Sequence, residues 1–266
     1  SACLVGSEMC IRDRLCFSYG DKSFMEGLSA DIEKGKITTI LGPNGSGKST
    51  LLNLLIKQLK PRSGDIAVDN KSIYSMSVKE IAKHIAMVHQ ANTAPANITV
   101  RRLVEYGRMP HQTMFSSDDK DAKEIVDWAL EVTRLTGMAD KCVGQLSGGE
   151  RQRAWIAMAL AQKTDILFLD EPTTYLDVFY QLEVLTLVKK LNREYGMTIV
   201  MVLHDINQAM QFSDNLIIMS KGCVHYRGNV RDGITAERLK EIYGINAKIL
   251  WSEENKCPFM IPIVSG

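Results

Sequence analysis

An α/β fold, in which buried strands alternate with helices, is what this 266-residue sequence predicts. Three stretches predict it. Lys36-Ile37-Thr38-Thr39-Ile40-Leu41 is a β-branched apolar run that leads into a glycine loop and then a helical stretch from Ser49 to Lys57. Ile166-Leu167-Phe168-Leu169 is a second run, ending in the acids Asp170 and Glu171. Thr198-Ile199-Val200-Met201-Val202-Leu203 is a third, closed by His204. Short apolar runs rich in branched residues read as buried strands.

The loop after the first strand is Gly42-Pro43-Asn44-Gly45-Ser46-Gly47-Lys48-Ser49-Thr50. Glycine, four residues and then Gly-Lys-Ser, between a strand and a helix, is the spacing and setting of a phosphate-binding loop. Gly42, Gly45 and Gly47 let successive backbone N–H groups turn toward an anion. The helix N-terminus adds donors and partial positive charge. Lys48 brings a full charge to β- and γ-phosphates, and the Ser49 hydroxyl suits Mg²⁺, a hard cation that takes oxygen ligands. A glycine-rich turn carrying a surface lysine is the plainer alternative, and the flanking strand and helix argue against it.

Composition bounds the rest. The chain is 45% hydrophobic and 24% charged, with formal net charge +1, as for one large or two coupled globular domains. That balance lacks the basic footprint of a nucleic-acid partner. No apolar run reaches the roughly 18 residues of a membrane span, so the chain reads as soluble and able to dock on a membrane protein. Cys3, Cys10, Cys16, Cys142, Cys223 and Cys257 form no C-x-x-C pair and read as reduced thiols in a cytoplasmic protein. Residues 1–9 read as a leader or a poorly ordered terminus.

Along the chain, residues 10–41 predict an N-terminal β region, with strands over Cys10 to Phe17 and Phe24 to Ile32. Tyr19 lies on the turn between them, where an aromatic ring either stacks on a base or serves the turn. Short strands follow at Asp65 to Val68 and His84 to His89, around a helix at Val78 to Lys83. Gln90 ends the second of these; a lone glutamine there is ordinarily a surface residue. Thr99 to Arg108 reads as a helix capped by Thr99, and Asp118 to Leu135 as an amphipathic helix with Ile125, Trp128, Ala129 and Val132 on one face. The run Asp118 to Asp121 is its solvated first turn.

Leu146-Ser147-Gly148-Gly149-Glu150 then opens a helix to Gln162, a second N-terminus with free donors, though such helix starts are common. Asp170 and Glu171 end their strand where open α/β sheets bind ligands. Asp170 suits Mg²⁺, and Glu171 can take a proton from water attacking a γ-phosphate. Asp177 caps a helix from Val178 to about Tyr195. His204, at another strand end, could donate to a phosphate oxygen, but a lone histidine is more often structural. Helix, strand, a turn at Lys221-Gly222, strand and a short helix from Thr235 to Tyr243 come next. A closing hairpin follows around Glu253-Glu254-Asn255.

In this order the phosphate loop, Gln90, Leu146-Ser147-Gly148-Gly149-Glu150, Asp170-Glu171, Leu176-Asp177 and His204 resemble the ATP-binding subunit of ABC transporters, over roughly residues 10–265. A finer resemblance is to the ATPases of iron-siderophore, haem and cobalamin importers. It rests on Tyr106-Gly107-Arg108-Met109-Pro110-His111, Glu171 through Asp177, Gln181 through Leu185 and Val202 through Ala209. Val178-Phe179-Tyr180 departs from that pattern, which carries smaller or more polar residues.

The resemblance implies a P-loop NTPase with a RecA-like core over residues 10–97 and 163–266. It also implies an antiparallel β region and a helical subdomain over residues 98–162 that ends in the signature helix. It implies ATP held by Tyr19, stacked on adenine, and by Gly42, Pro43, Asn44, Gly45, Ser46, Gly47, Lys48, Ser49 and Thr50. Mg²⁺ would be held by Ser49, Gln90 and Asp170, with Glu171 as general base and His204, Gln90 and Lys48 assisting. Ser147, Gly148, Gly149, Glu150 and Asp177 would act in trans, on the ATP of a second copy in a head-to-tail dimer. The implied partners are an integral-membrane permease and, indirectly, an extracytoplasmic substrate-binding protein, with no nucleic acid. The implied place is the cytoplasmic face of the membrane and the implied cargo a ferric siderophore, with haem or cobalamin next. One cassette, a compact helical insert and near-neutral charge accord less with soluble ABC ATPases of ribosomes or DNA.

Overall fold

A computed structural model describes residues 7–111 and 121–263 of the chain. In order, the elements are strands β1 (Ser7–Tyr19), β2 (Lys22–Glu33) and β3 (Ile37–Leu41), helix α1 (Lys48–Leu55), β4 (Ser63–Val68), β5 (Lys71–Ser72), α2 (Val78–His84) and β6 (Ile85–Val88). Then come α3 (Val100–Glu105), α4 (Ala122–Val132), α5 (Gly148–Ala161), β7 (Ile166–Asp170), α6 (Val178–Tyr195), β8 (Thr198–Val202) and α7 (Ile206–Phe212). The chain ends with β9 (Asn215–Ser220), β10 (Cys223–Asn229), α8 (Val230–Gly233), α9 (Ala236–Tyr243), β11 (Asn246–Ser252) and β12 (Cys257–Ile263). Among these helices none is long and apolar enough to cross a membrane.

Two compact units emerge: one is the chain up to Ser75 together with the stretch from Met197 onward, the other Met76–Gly196. The second is wider than the helical subdomain expected over residues 98–162. It takes in β6, β7 and α6 because α5 packs against both β6 and α6.

In the first unit β3 lies between β8 and β9 and runs parallel to both, with Ile40 opposite Val202 and Ile217. Every residue of β3 and β8 is buried, which is why both read as unbroken apolar runs. β10 extends this sheet antiparallel to β9. A separate antiparallel sheet has the order β2-β1-β4-β5; β1 and β2 are the strands expected over Cys10 to Phe17 and Phe24 to Ile32. Its first strand starts at Ser7, inside the stretch read as a leader; residues 1–6 of that reading lie outside the described residues. β11 and β12 pair as the closing hairpin, fixed to α7 where Asn207 exchanges hydrogen bonds with the backbone of Met260.

In the second unit β6 and β7 pair in parallel, Ile85 opposite Ile166. Thr99 caps α3 as expected, accepting from Arg102 N–H at 3.2 Å, but α3 stops at Glu105. Residues 106–111 tighten into 3-10 turns because Pro110 cannot donate to an α-helix. Gly107 lets that segment lie on Met158; a Cβ there would sit 2.1 Å from the Met158 carbonyl oxygen. On α4, Ala129 and Val132 are buried, with Val126 and Leu130 beside them. Trp128 instead sits at the rim, between Lys163 Nζ at 4.4 Å and the Tyr195 ring at 5.4 Å. The first turn expected at Asp118–Lys120 lies outside the described residues.

One expectation is corrected. Cys10, read as a reduced thiol, is disulfide-bonded, while Cys16, Cys142, Cys223 and Cys257 are free.

Candidate functional site

The site residues fall into two sets, one in each unit. The first is the phosphate loop with Tyr19 and His204. α1 starts from Gly47 at φ 105 with no side-chain cap, so its first-turn N–H groups stay available to an outside acceptor. Gly42 leaves no room for a side chain: a Cβ would lie 2.2 Å from the Met219 carbonyl oxygen and 2.6 Å from Ser46 Oγ. Lys48 is only 5% exposed, and its Nζ donates to the carbonyls of Gly42 (2.9 Å) and Pro43 (3.1 Å), so the ammonium is folded into the cradle. Asn44, Gly45 and Ser49 are exposed, while Ser46 is buried. A positive, amide-lined cradle with an exposed hydroxyl at its helix end fits a nucleotide polyphosphate and a hard cation on its oxygens.

Tyr19 is 54% exposed, and its hydroxyl is hydrogen-bonded to Thr50 Oγ1 at 2.8 Å. Phe17 stands edge-on to its ring at 4.8 Å and Phe24 is tilted at 5.7 Å. The ring is therefore fixed on the loop's own helix while a face remains open for stacking. His204 is exposed just beyond the end of β8.

Two supports of the loop were not legible. Gly222 N–H donates to the Ser46 carbonyl at 3.0 Å, and Gly222 approaches β2 so closely that a Cβ would stand 1.8 Å from the Phe24 carbonyl oxygen. Tyr243 touches Gly42: burial, opposed in part by a hydrogen bond from the Gly42 amide, leaves its phenol pushed up to about 12. Lys221-Gly222 signals a turn in the sequence; nothing signals that the turn braces a loop so far upstream.

The second set is Gln90, Asp170, Glu171, the signature turn and Asp177. Asp170 ends β7, and Glu171 follows it at φ 50, a left-handed conformation that costs a non-glycine residue on the order of 1 kcal/mol or more. The bend brings its carboxylate under two donors. Gln90 Nε2 donates to Glu171 Oε2 at 2.5 Å and Thr174 Oγ1 donates to the same oxygen at 3.0 Å. Sequence reading gave Gln90 and Glu171 but not Thr174, whose reach depends on the turn closed by Thr174 N–H to Glu171 O at 3.2 Å.

Ser147 is the N-cap of α5. Its Oγ accepts from Glu150 N–H at 3.3 Å, and Glu150 Oε2 accepts from Ser147 N–H at 2.8 Å. Bonds to its carboxylate from Ser147, the backbone N–H first and then the hydroxyl, hold the Glu150 carboxyl below its ordinary range. Glu150 therefore closes a capping box with Ser147. Asp177 caps α6 by accepting from Tyr180 N–H at 3.0 Å. A cavity of about 430 Å³ in this unit is lined by Gln90, Asn92, Gly148, Arg151, Trp155 and Tyr175, among others.

Over residues 25–174 the sequence matches the ABC transporter family. The petrobactin import ATP-binding protein FpuC of Bacillus anthracis is 46% identical over 250 residues, covering 94% of this chain and 91% of that protein. The iron(3+)-hydroxamate import ATP-binding protein FhuC of Bacillus subtilis is 45% identical over 246 residues, covering 92% and 91%. Among solved structures, a metal-chelate type ABC transporter in an inward-facing conformation matches at TM-score 0.84 and 29% identity, covering 97% of this chain and 98% of that one. A dimeric bacterial ABC transporter cassette matches at TM-score 0.71 and 30% identity, covering 84% and 99%. A cradle that begins an uncapped helix, an acid pair closing a strand and a capped serine-glycine turn, in a sequence aligned over more than nine-tenths of its length with FpuC and FhuC, place the chain in the ABC transporter family.

Proposed function

We propose that this chain is the ATP-hydrolysing subunit of an importer for a ferric siderophore or a related iron chelate, working beneath a separate membrane permease. The observation that carries the hydrolytic reading is the Glu171 carboxylate, bent out of the strand and gripped by Gln90 and Thr174. The names of the relatives support the cargo, since petrobactin import and iron(3+)-hydroxamate import both describe close sequence neighbours.

In the proposed mechanism the loop amides and Lys48 neutralise the triphosphate, and Tyr19 stacks on adenine. Ser49, Asp170 and Gln90 are the residues that would hold Mg²⁺, which supplies charge neutralisation at the phosphates when bound. Glu171 takes the proton of the attacking water, and His204 donates to a γ-phosphate oxygen. Ser147, Gly148 and Gly149 donate to the ATP of a second copy, with Glu150 holding their turn and Asp177 closing beside it. ATP bridges the two copies and so favours the closed dimer; hydrolysis removes the bridge. Gln90 is bonded to the base and borders the 430 Å³ cavity, so a permease segment that moves Gln90 would move Glu171. The chain would thus sit on the cytoplasmic face, held there by the permease.

Glu171→Gln tests the chemistry: turnover falls by roughly 10²–10⁴, as for loss of a general base, while ATP binding persists. Wild-type turnover in that variant would remove Glu171 from the role. Cargo is tested in vesicles holding the complete transporter, by ATP-dependent uptake of labelled ferric siderophore against haem and cobalamin.

A further inference from the structure

Gly149, the second residue of α5, lies directly against the ring of Tyr180. A Cβ at position 149 would stand 2.3 Å from Tyr180 Cδ1 and 2.7 Å from Cγ, closer than side chains tolerate. Val178 and Phe179, just before it, are 70% and 65% exposed, so Tyr180 is the member of this run that turns inward. Its N–H is the one held by Asp177 Oδ1, at 3.0 Å. The Gln181 side chain ties down the same turn by donating to the Leu176 carbonyl at 2.9 Å. One helical turn further on, Arg153 of α5 pairs with Glu183 of α6 at 2.6 Å. α5 and α6 are thus joined at their N-terminal turns, where Ser147 and Asp177 sit.

We propose that Tyr180 is a positioning residue for the signature turn. Its ring, admitted by the missing side chain of Gly149, fixes the start of α5 to the Asp177 cap of α6. The groups one copy lends to its partner's nucleotide then arrive as one body. This rests on the trans reading above. Truncating the ring leaves the helix start free to shift, and a misplacement of about 1 Å at donors of this kind costs up to roughly a hundredfold in rate. The mechanism assigns no group of Tyr180 to the reacting atoms; the effect runs through Ser147.

Mixed dimers of the purified full-length chain test this. Tyr180→Ala is expected to lower ATP turnover about tenfold or more while its monomer binds ATP as wild type does, and Tyr180→Phe restores most of the rate. Mixed in equal amounts with Glu171→Gln before ATP is added, Tyr180→Ala regains turnover. The mixed dimer has one site with intact loop, base and signature turn, which gives about a quarter of the wild-type rate for random pairing. Ser147→Ala with Glu171→Gln is the control. Failure of that pair to complement overturns the trans reading itself. If that pair complements but Tyr180→Ala either keeps wild-type turnover or is not rescued by mixing, the Tyr180 assignment alone falls. A second arm covers a folding defect: Gly149→Ala drives its methyl into the ring, and adding Tyr180→Ala to it must raise turnover again. No recovery there also overturns the proposal.

Discussion

A carboxylate can serve as base only if its rotamer is held, and Thr174 shares that task with Gln90. Both donate to the same oxygen of Glu171. Thr174→Val keeps the shape and removes only the donor. A hydrogen bond to a charged group contributes about 1.5–3 kcal/mol, so kcat is expected to fall roughly ten- to a hundredfold with little change in KM. Steady-state kinetics decide it, and an unchanged kcat would mean the hydroxyl is idle. Lys48→Ala acts at the other step: it removes the cradle's charge, and nucleotide affinity measured by calorimetry should collapse, not just turnover. Residues that announce themselves by type and spacing, such as Lys48 and the acid pair, were legible in the sequence. Thr174 was not, because its role exists only once the turn after Glu171 has closed. Tyr243 was not either, being an aromatic at a helix end until the fold sets it on Gly42.

Among the elements, α6 was readable to its ends, Val178 and Tyr195. An aspartate cap opens it and Gly196, at φ 68, closes it. Short segments lacked such signals: the 3-10 stretch over residues 106–111 overlaps a helix expected to run to Arg108, and α8 was not expected at all. The Lys221-Gly222 turn was legible as a turn, yet its work is to brace the phosphate loop. Gly222→Ala would force a methyl onto the Phe24 carbonyl and strain a residue at φ 78. A loss of about 1–3 kcal/mol in stability should come with weaker ATP binding, since the bond to the Ser46 carbonyl must move. Chemical denaturation and nucleotide titration of the same variant read both; stability lost with affinity intact would refute the brace. The signature helix gives a pH prediction. The folded carboxyl of Glu150 is held below its unfolded range, so its contribution is full above that range and is lost as pH falls through the folded value. Glu150→Ala should therefore cost about 1 kcal/mol at neutral pH, and the difference from wild type should shrink as pH falls below the ordinary carboxyl range and through the lowered folded value. A difference that persisted in acid would mean the charge plays no part in the cap.

At the scale of the whole molecule, binding and assembly are linked to stability by mass action. A ligand that binds only the folded chain stabilises it by about 2.7 kcal/mol at a hundred times its Kd. For a chain of this size each kcal/mol raises Tm by about 2–4 °C, so saturating ATP with Mg²⁺ should raise Tm by roughly 5–10 °C. Lys48→Ala should abolish the shift, because the ammonium folded against Gly42 and Pro43 is what the phosphates would engage. Glu171→Gln should enlarge it, and make it rise with protein concentration, because an uncleaved nucleotide keeps bridging two copies and each closed dimer adds its own association energy. Sedimentation of Glu171→Gln with ATP then separates two sources of the enlarged shift. A dimer that dissociates when Ser147→Ala is added places the signature turn at the bridge. A monomer with the same enlarged shift would locate all the added stability within one chain, and the serine-glycine turn would have no partner to serve.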